Sequence, residues 1–200
     1  MTIETKNIKN NDLYNLMICS ILPRPIAWIG STSIDKIDNL AAFSFFSVAS
    51  VNPPIVSLSI LNKTDGEQKA TLKNIEHSKY FSISIVNEDL ASSMAKSSRR
   101  YENIVDKFEI SKVNRKECSK IPSFYIEESQ VSYECKLREV IKLGKEEQSG
   151  NLVLADVIAI NIDDEILDFP QIDIEKLNPI GRLSASFYST IENKFEIKRD

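Results

Sequence analysis

Two segments of the chain alternate apolar residues with serine. Residues 81–85 read Phe-Ser-Ile-Ser-Ile, and residues 56–60 read Val-Ser-Leu-Ser-Ile. A period of two places all the apolar side chains on one face of a strand and all the serines on the other. The pattern therefore predicts two half-buried β-strands whose serine faces point outward.

A third alternating segment, residues 131–137, predicts a strand in which Ser132 and Glu134 face outward. Beyond residue 139 the parity shifts, so that Val140 takes the apolar side. A change of parity inside a strand predicts a β-bulge. Because bulges let strands bend, this segment favours a closed barrel over a flat sheet.

The rest of the chain predicts further strands and a few helices. Apolar runs predict strands at 26–31, 41–48 and 152–162, and apolar residues at helical spacing predict helices at 69–76 and 89–97. The strand at 152–162 is apolar on both faces, so it is either central or covered by a partner. Residues 98–130 are polar, and we expect a long irregular excursion there. Together these elements predict one mainly β domain over residues 1–200, a barrel with peripheral helices.

The charge balance narrows the function classes. The 200 residues include 25 basic and 29 acidic side chains, a net charge of -4, and these charges are spread along the chain. Nucleic acid is bound by clustered basic residues, so it is not an expected partner. No apolar run approaches the ~20 residues that a membrane-spanning helix needs. We therefore expect a cytoplasmic protein without membrane attachment.

The residues of common metal and catalytic sites are sparse. The three cysteines form no CxxC pair, so a thiolate zinc site is excluded and a disulfide framework is not expected. The single histidine, His77, excludes an HExxH zinc site and is interpreted as solvated at a helix end. The five glycines are too dispersed for a GxGxxG or Walker A loop. The sequence therefore predicts no metal site and identifies no catalytic residue.

Residues 22–60 carry the most informative combination of side chains. Arg24 lies between Pro23 and Pro25, which restrict its backbone, so its guanidinium either has a dedicated partner or lies at the surface. Residues 43–47 read Phe-Ser-Phe-Phe-Ser. Aromatic rings beside hydroxyls fit a planar apolar ligand with a polar edge, although ordinary core packing gives the same pattern.

The predicted helix at 69–76 has Lys69 and Thr71 in its first turn. A helix N-terminus offers unpaired N–H donors and the positive end of the helix dipole, which favour a bound phosphate. The alternative is a solvated lysine on an ordinary helix.

Five motifs span nearly the whole chain: Pro23-Arg24-Pro25-Ile26-Ala27-Trp28, Asn39-Leu40-Ala41-Ala42-Phe43-Ser44-Phe45-Phe46, Asn52-Pro53-Pro54, Lys69-Ala70-Thr71-Leu72-Lys73-Asn74-Ile75 and Pro179-Ile180-Gly181-Arg182-Leu183. With these motifs in this order, the chain resembles the flavin reductase-like, FMN-binding split-barrel family. The resemblance implies a mainly β split barrel of Greek-key type and a homodimer. It also implies FMN held non-covalently near the dimer interface, with NAD(P)H as the electron donor.

The resemblance further implies a set of FMN-binding residues. Those that would line the ring system and the ribityl chain are Asn39, Ala41, Ala42, Phe43, Ser44, Phe45, Phe46 and Ser47. The preceding strand would complete this wall with Trp28, Ser31 and Thr32. Lys69 and Thr71 would bind the phosphate. Arg182 and Tyr188 would approach the flavin or the neighbouring subunit.

Two activities are compatible with this resemblance. The first is an NAD(P)H-dependent flavin reductase that delivers electrons to flavin or to a downstream acceptor. The alternative is a flavoredoxin-like electron carrier, reduced by a protein redox partner and without efficient NAD(P)H turnover. A flavin-free structural barrel is a third interpretation. Arg99 and Arg100 are candidates for binding a nucleotide phosphate, but adjacent arginines on a polar loop are usually solvated.

Overall fold

The computed structural model describes residues 1–99, 101 and 105–198, so Arg100 lies outside the described residues. A short 3-10 helix covers Thr5–Asn7. Within the described ranges the α-helices are α1 Asn10–Ser20, α2 Ala70–Ser78, α3 Ala91–Ser97, α4 Lys107–Ser111 and α5 Ile174–Leu177. The strands are β1 Ala27–Thr32, β2 Asp38–Phe43, β3 Phe46–Val51, β4 Pro54–Leu61, β5 Tyr80–Ile85, β6 Arg115–Glu117, β7 Phe124–Ile126, β8 Val131–Lys142, β9 Gly150–Ile162, β10 Leu167–Asp168, β11 Gln171–Ile172, β12 Gly181–Arg182 and β13 Tyr188–Ser189.

Seven strands form one antiparallel sheet in the order β2-β1-β5-β8-β9-β4-β3. The two edge strands, β2 and β3, are consecutive in sequence and are joined through Ser44 and Phe45. Because so short a connection joins the two edges, the sheet curls until its edges approach each other. The Phe45 carbonyl accepts a hydrogen bond from the Ser59 N–H at 2.8 Å. The prediction of a mainly β split barrel is confirmed.

The strand predicted at 41–48 is in fact two strands. β2 ends at Phe43 and β3 begins at Phe46, with a bend at Ser44 and Phe45 between them. Apolar residues lie on both sides of the bend, so the pattern continues through it without a break. The prediction of one continuous strand is wrong, and the bend changes which side chains can share a face.

The barrel interior holds the largest hydrophobic core. Its buried members are Ala27, Ile29, Phe43, Val56, Leu58, Ile60, Leu72, Ile75, Phe81, Ile83, Cys135, Val153 and Ala155. Leu72 and Ile75 come from α2 and have no exposed surface. Burying each such side chain stabilises the fold by ~1.5–3 kcal/mol. This packing fixes α2 against the barrel, and with it the position of the first turn of the helix.

A second core covers the outer face of β1 and β2. Trp28 and Leu40 from these strands pack with Phe108 from α4 and Ile126 from β7. The last two fall within residues 98–130, where we expected an irregular excursion. That expectation is wrong for the described part of the segment, because α4, β6 and β7 form there. Charged residues separate its few apolar side chains in sequence, so the periodicity that would indicate these elements is weak.

The serine face of β5 and the polar face of β8 are buried rather than exposed. Ser82 Oγ donates to the Phe124 carbonyl oxygen at 2.6 Å, and the Ser84 and Ser132 hydroxyls share a hydrogen bond of 3.1 Å. Glu134 has no exposed surface. The prediction that these polar residues face outward is wrong, because β7 and its neighbouring loops cover that face. Each buried polar group is instead satisfied by a hydrogen bond.

β8 and β9 form a long antiparallel ladder. A register shift after Leu137 confirms the bulge predicted before Val140. β9 lies between β8 and β4, so it occupies a central position in the sheet. Its Ile158 and Ile160 are nevertheless 45% and 51% exposed. In the described part of the chain, no helix combines the length and apolar character needed to cross a membrane.

Candidate functional site

A large cavity opens where β2 meets the first turn of α2. Its volume is about 930 Å³. The segment from Ser97 to Lys107 forms another part of the wall in its described residues, as does the loop around Lys63. The predicted site residues that line the cavity are Asn39, Ala41, Ala42, Phe43, Lys69 and Thr71. Six residues assigned from two separate motifs therefore lie around one cavity.

The first turn of α2 brings Lys69 and Thr71 to the cavity wall. Lys69 is the N-cap residue and has an extended backbone, with φ -70 and ψ 150. Its carbonyl accepts the N–H groups of Leu72 at 3.0 Å and Lys73 at 3.2 Å, which begins the helical hydrogen bonding. No side chain caps this end of the helix. The first N–H groups of a helix have no intrahelical acceptor, so this end favours an anionic group.

A buried hydrogen-bond network supports this turn from below. The Asn39 side-chain amide donates to Thr71 Oγ1 at 3.0 Å, and the Asn74 amide donates to Ser31 Oγ at 3.2 Å. Thr71 and Asn74 are 2% and 6% exposed. The network joins β1, β2 and α2, so the polar groups of the cavity wall are held in place before any ligand arrives.

Two lysines from separate elements line this end of the cavity. Lys69 Nζ lies 5.5 Å from the centroid of the Phe43 ring. Lys107, at the start of α4, lines the same cavity. Burial lowers the pKa of Lys107, and the nearby Lys69 ammonium lowers it further. An anion placed near Lys107 would offset both effects.

A carboxylate in the wall is already neutralised by the protein. Asp38 accepts a hydrogen bond from Thr32 Oγ1 at 2.7 Å and forms an ion pair of 3.1 Å with Arg115 Nε. The same guanidinium also pairs with Asp106 and lies 4.7 Å from the Phe108 ring centroid. Asp38 is therefore engaged within the wall by Thr32 and Arg115.

Three predicted wall residues from β1 and its end lie behind the cavity surface. Trp28 has no exposed surface, and its Nε1 donates to Ser97 Oγ at 2.9 Å. Ser31 accepts from Asn74, and Thr32 donates to Asp38. Each of the three contacts a residue that does line the cavity. They support the wall from within, and their direct contact with a ligand stays a prediction.

The predicted residues from Ser44 to Ser47 are separated from the cavity by the bend after β2. Ser44 Oγ accepts a hydrogen bond from Arg24 Nε at 3.3 Å. Phe46 packs against the barrel core, and Ser47 is exposed on β3. Phe45 is half-buried at the bend itself. Their assignment to the ligand site stays a prediction, and it now requires a surface other than the cavity wall described above.

Arg24 has the dedicated partners that its two flanking prolines suggested. It is only 6% exposed. Its guanidinium donates to the carbonyl oxygens of Ile21 at 3.1 Å and Leu183 at 2.6 Å, and also to that of Ile18. With the Ser44 contact, these bonds tie α1, the bend after β2 and the segment that follows β12 together. Arg24 is therefore a structural clamp, and the surface alternative is excluded.

Arg182 is bound to its own hairpin. Its guanidinium carbon lies 4.5 Å from the centroid of the Tyr188 ring, and the group donates to the Tyr188 hydroxyl and the Ala185 carbonyl. β12 and β13 pair in this hairpin, with Arg182 opposite Tyr188. Its approach to a flavin or to a neighbouring subunit stays a prediction. His77, by contrast, lies exposed in the last turn of α2, as interpreted from the sequence.

Several cavity residues were not identified from the sequence. They include Asn74, Ser97, Tyr101 and Lys107. Asn74 was quoted within the helix motif, but its polar side chain carried no separate signal of burial. The other three lie at or beyond the end of α3, where the sequence is polar and aperiodic. Arg99 lines the cavity in the same region.

Comparisons with known proteins agree over most of the chain. A family model described as "Flavin reductase like domain" matches residues 19–175. An uncharacterized protein of Aquifex aeolicus is 31% identical over 189 residues, which cover 94% of this chain and 94% of that protein.

Solved structures extend the likeness to the fold. Nitrilotriacetate monooxygenase component B from Bacillus cereus is 26% identical, with a TM-score of 0.94 and coverage of 98% of each chain. The flavoredoxin of Desulfovibrio vulgaris (Miyazaki F) is 19% identical, with a TM-score of 0.77 over 99% of this chain and 97% of that one. At that identity the second likeness concerns the fold alone.

Proposed function

The chain belongs to the flavin reductase-like family, and on that premise we propose that it is an FMN-binding oxidoreductase that transfers electrons from NAD(P)H to the flavin or to a downstream acceptor. The observation that carries the proposal is that Lys69 and Thr71 line the same cavity as Phe43. A cation and a hydroxyl at a helix N-terminus suit a phosphate group. An aromatic ring beside them suits the planar part of the same ligand.

The residues present fit a phosphorylated flavin in charge and chemistry. Lys69 would pair with the phosphate, while the Thr71 hydroxyl and the first N–H groups of α2 would donate hydrogen bonds to it. Asn39 holds Thr71 from one side at 3.0 Å, so this hydroxyl needs little reorganisation on binding. At about 930 Å³ the cavity lies within the range of small-molecule and cofactor sites.

FMN, when bound, supplies the redox chemistry itself, so the protein needs no general base. The chain's own residues bind and orient. Ala41 and Ala42 are small and leave room for a flat ring system against β2, and Phe43 closes the wall beside them. Lys69 stabilises negative charge at this end of the cavity.

We also propose a homodimer. Its support is the exposure of large apolar side chains on the sheet: Val48 on the edge strand β3 is 66% exposed, and Ile158 and Ile160 on β9 are 45% and 51% exposed. Large apolar side chains exposed on a sheet are typical of an interaction surface. A second subunit near β3 would also give a role to Ser47, which the cavity of one chain leaves outside its wall.

A binding experiment tests the phosphate assignment. We expect Lys69→Ala to weaken FMN binding by ~1.5–3 kcal/mol, about ten- to a hundredfold, because one charge-assisted contact is lost. Riboflavin, which lacks the phosphate, should lose much less. Flavin fluorescence titration measures both affinities. Lys73→Ala is the matched control, because Lys73 lies one helical turn away with an exposed side chain.

The outcomes separate the parts of the proposal. Equal losses for FMN and riboflavin in Lys69→Ala would contradict the phosphate assignment. Failure of the unmodified protein to bind either flavin would contradict the proposed function as a whole. Tight FMN binding without reduction by NADH or NADPH would instead support the electron-carrier alternative.

A further inference from the structure

Lys107 is a second cation on the cavity wall, and it lies on a different helix from Lys69. It is the first residue of α4 and is half-buried. Among the residues that the structure describes, no carboxylate lies within ion-pair distance of Lys107 Nζ. Its neighbour Asp106 is occupied elsewhere, because its carboxylate accepts the N–H groups of Phe108 and Glu109 and pairs with Arg115.

The position of Lys107 is set by three residues that we call the Arg115 cluster: Arg115, Asp38 and Asp106. Arg115 Nε lies 3.1 Å from Asp38 at the start of β2, and the same guanidinium binds Asp106 at the N-cap of α4. The guanidinium also lies over the ring of Phe108, which is 1% exposed, and this contact holds it from a third side. The Arg115 cluster therefore holds the beginning of α4, which carries Lys107, against the start of β2.

We propose that Lys107 is a specificity-determining residue that contacts the anionic group of the ligand together with Lys69, and that Arg115 is its positioning residue. This inference rests on the proposed function, because it assigns a further contact to the same site. It predicts selection for a phosphorylated flavin over an unphosphorylated one. Two lysines from separate elements would then hold the phosphate between α2 and α4.

Charge balance at Lys107 favours a bound anion. Placing an ammonium group in a half-buried wall costs solvation energy, and placing it near a second ammonium adds repulsion. For Lys107 the acidic groups on the packed elements are already engaged: Asp38 and Asp106 both pair with Arg115. Burial and the charge of Lys69 both lower the pKa of Lys107. A phosphate between the two lysines reverses both penalties.

The test compares flavin affinities in four proteins. Lys107→Gln should weaken FMN binding about tenfold, a typical effect of one charge-assisted contact, and leave riboflavin binding nearly unchanged. Lys107→Arg keeps the charge and should restore most of the FMN affinity. The control is Lys73→Gln, which removes a lysine of the same charge outside the cavity wall and should behave like the unmodified protein.

The positioning role of Arg115 has its own readout. Arg115→Gln should lower the ratio of FMN to riboflavin affinity in the unmodified background. In the Lys107→Gln background it should lower that ratio no further, since the residue that it positions is already gone. A merely structural role would weaken both flavins in both backgrounds, and that result would overturn the assignment of Arg115.

The failure of this inference can be distinguished from failure of the proposed function. Suppose that Lys69→Ala lowers the ratio of FMN affinity to riboflavin affinity while Lys107→Gln does not. The proposed phosphate site then stands, and the role of Lys107 is refuted. If the unmodified protein binds neither flavin, both proposals are refuted. The inference is supported if Lys107→Gln lowers the ratio of FMN affinity to riboflavin affinity and Lys107→Arg restores it.

Discussion

Replacing Arg24 by methionine tests the interpretation of this residue as a buried clamp. The side chain is 6% exposed and donates to Ser44 Oγ and to three backbone carbonyls, including Leu183 at 2.6 Å and Ile21 at 3.1 Å. Methionine keeps much of the apolar stem but removes all four hydrogen bonds. The three carbonyl oxygens would then lose this donor, and that of Ile18 lies in a buried contact.

The expected magnitude follows from these contacts. Each hydrogen bond to a charged group contributes ~1.5–3 kcal/mol, but removing the guanidinium also removes its own cost of burial. Leaving acceptors of this kind without their donor typically costs ~1–3 kcal/mol. For a domain of this size, ~2–4 °C is lost per kcal/mol, so the thermal midpoint should fall by ~2–12 °C.

Urea or thermal unfolding followed by circular dichroism measures this change. The matched control is Arg138→Met, because Arg138 forms an ion pair with Asp156 at 2.7 Å while its side chain is 45% exposed. Exposed pairs contribute ~0–1 kcal/mol, so the control should change stability little. Similar losses for the two variants would refute the claim that Arg24 is a buried clamp joining α1 to the segment after β12.

Two further predictions concern the barrel wall. Gly30→Ala would place a Cβ 2.5 Å from Ser82 Oγ and 2.6 Å from the Phe124 carbonyl oxygen. It should therefore lower the free energy of unfolding in urea by ~1–3 kcal/mol. An unchanged unfolding midpoint would contradict the close packing of β1 against β7. For Glu134, burial alone would raise the pKa, but hydrogen bonds from Asn161, Ser119 and Lys120 hold the pKa below its ordinary value. Its contribution to stability is therefore present above the unfolded pKa of ~4.3 and is lost as pH falls through the lower folded pKa. Glu134→Gln should remove this component of the acid-induced loss of stability, and an identical pH profile for both proteins would contradict it.

The sequence predicted strands well where one face is plainly apolar. The alternation at residues 81–85 located β5, because a period of two is a direct property of a strand. The same alternation misassigned the environment of Ser82 and Ser84. Small hydroxyls can lie under a second layer when backbone groups accept or donate their hydrogen bonds, and the pattern cannot distinguish that layer from water.

The bend at Ser44 and Phe45 was harder to predict. Neither residue is a strong turn former, and apolar residues continue on both sides. The curvature of the closed sheet, rather than local propensity, breaks the strand there. This long-range cause is why the predicted wall from Asn39 to Ser47 divides into a part that lines the cavity and a part that does not.

Within the candidate site, the local sequence identified the residues on α2 but missed the lysine on α4. Lys69 and Thr71 were identified because a lysine and a threonine at a helix start have a known preference for phosphate. Lys107 was missed because its location depends on the contact between Arg115 and Asp38, which are far apart in sequence. No periodicity within residues 98–130 indicates that pairing.

The most direct test of the central claim is an anaerobic absorbance titration of the FMN-saturated protein with stoichiometric NADPH and then NADH. We expect the oxidised flavin band to be perturbed on binding and to bleach rapidly with at least one nucleotide. A flavin band identical to that of free FMN, with no retention of flavin by the protein, would contradict that claim.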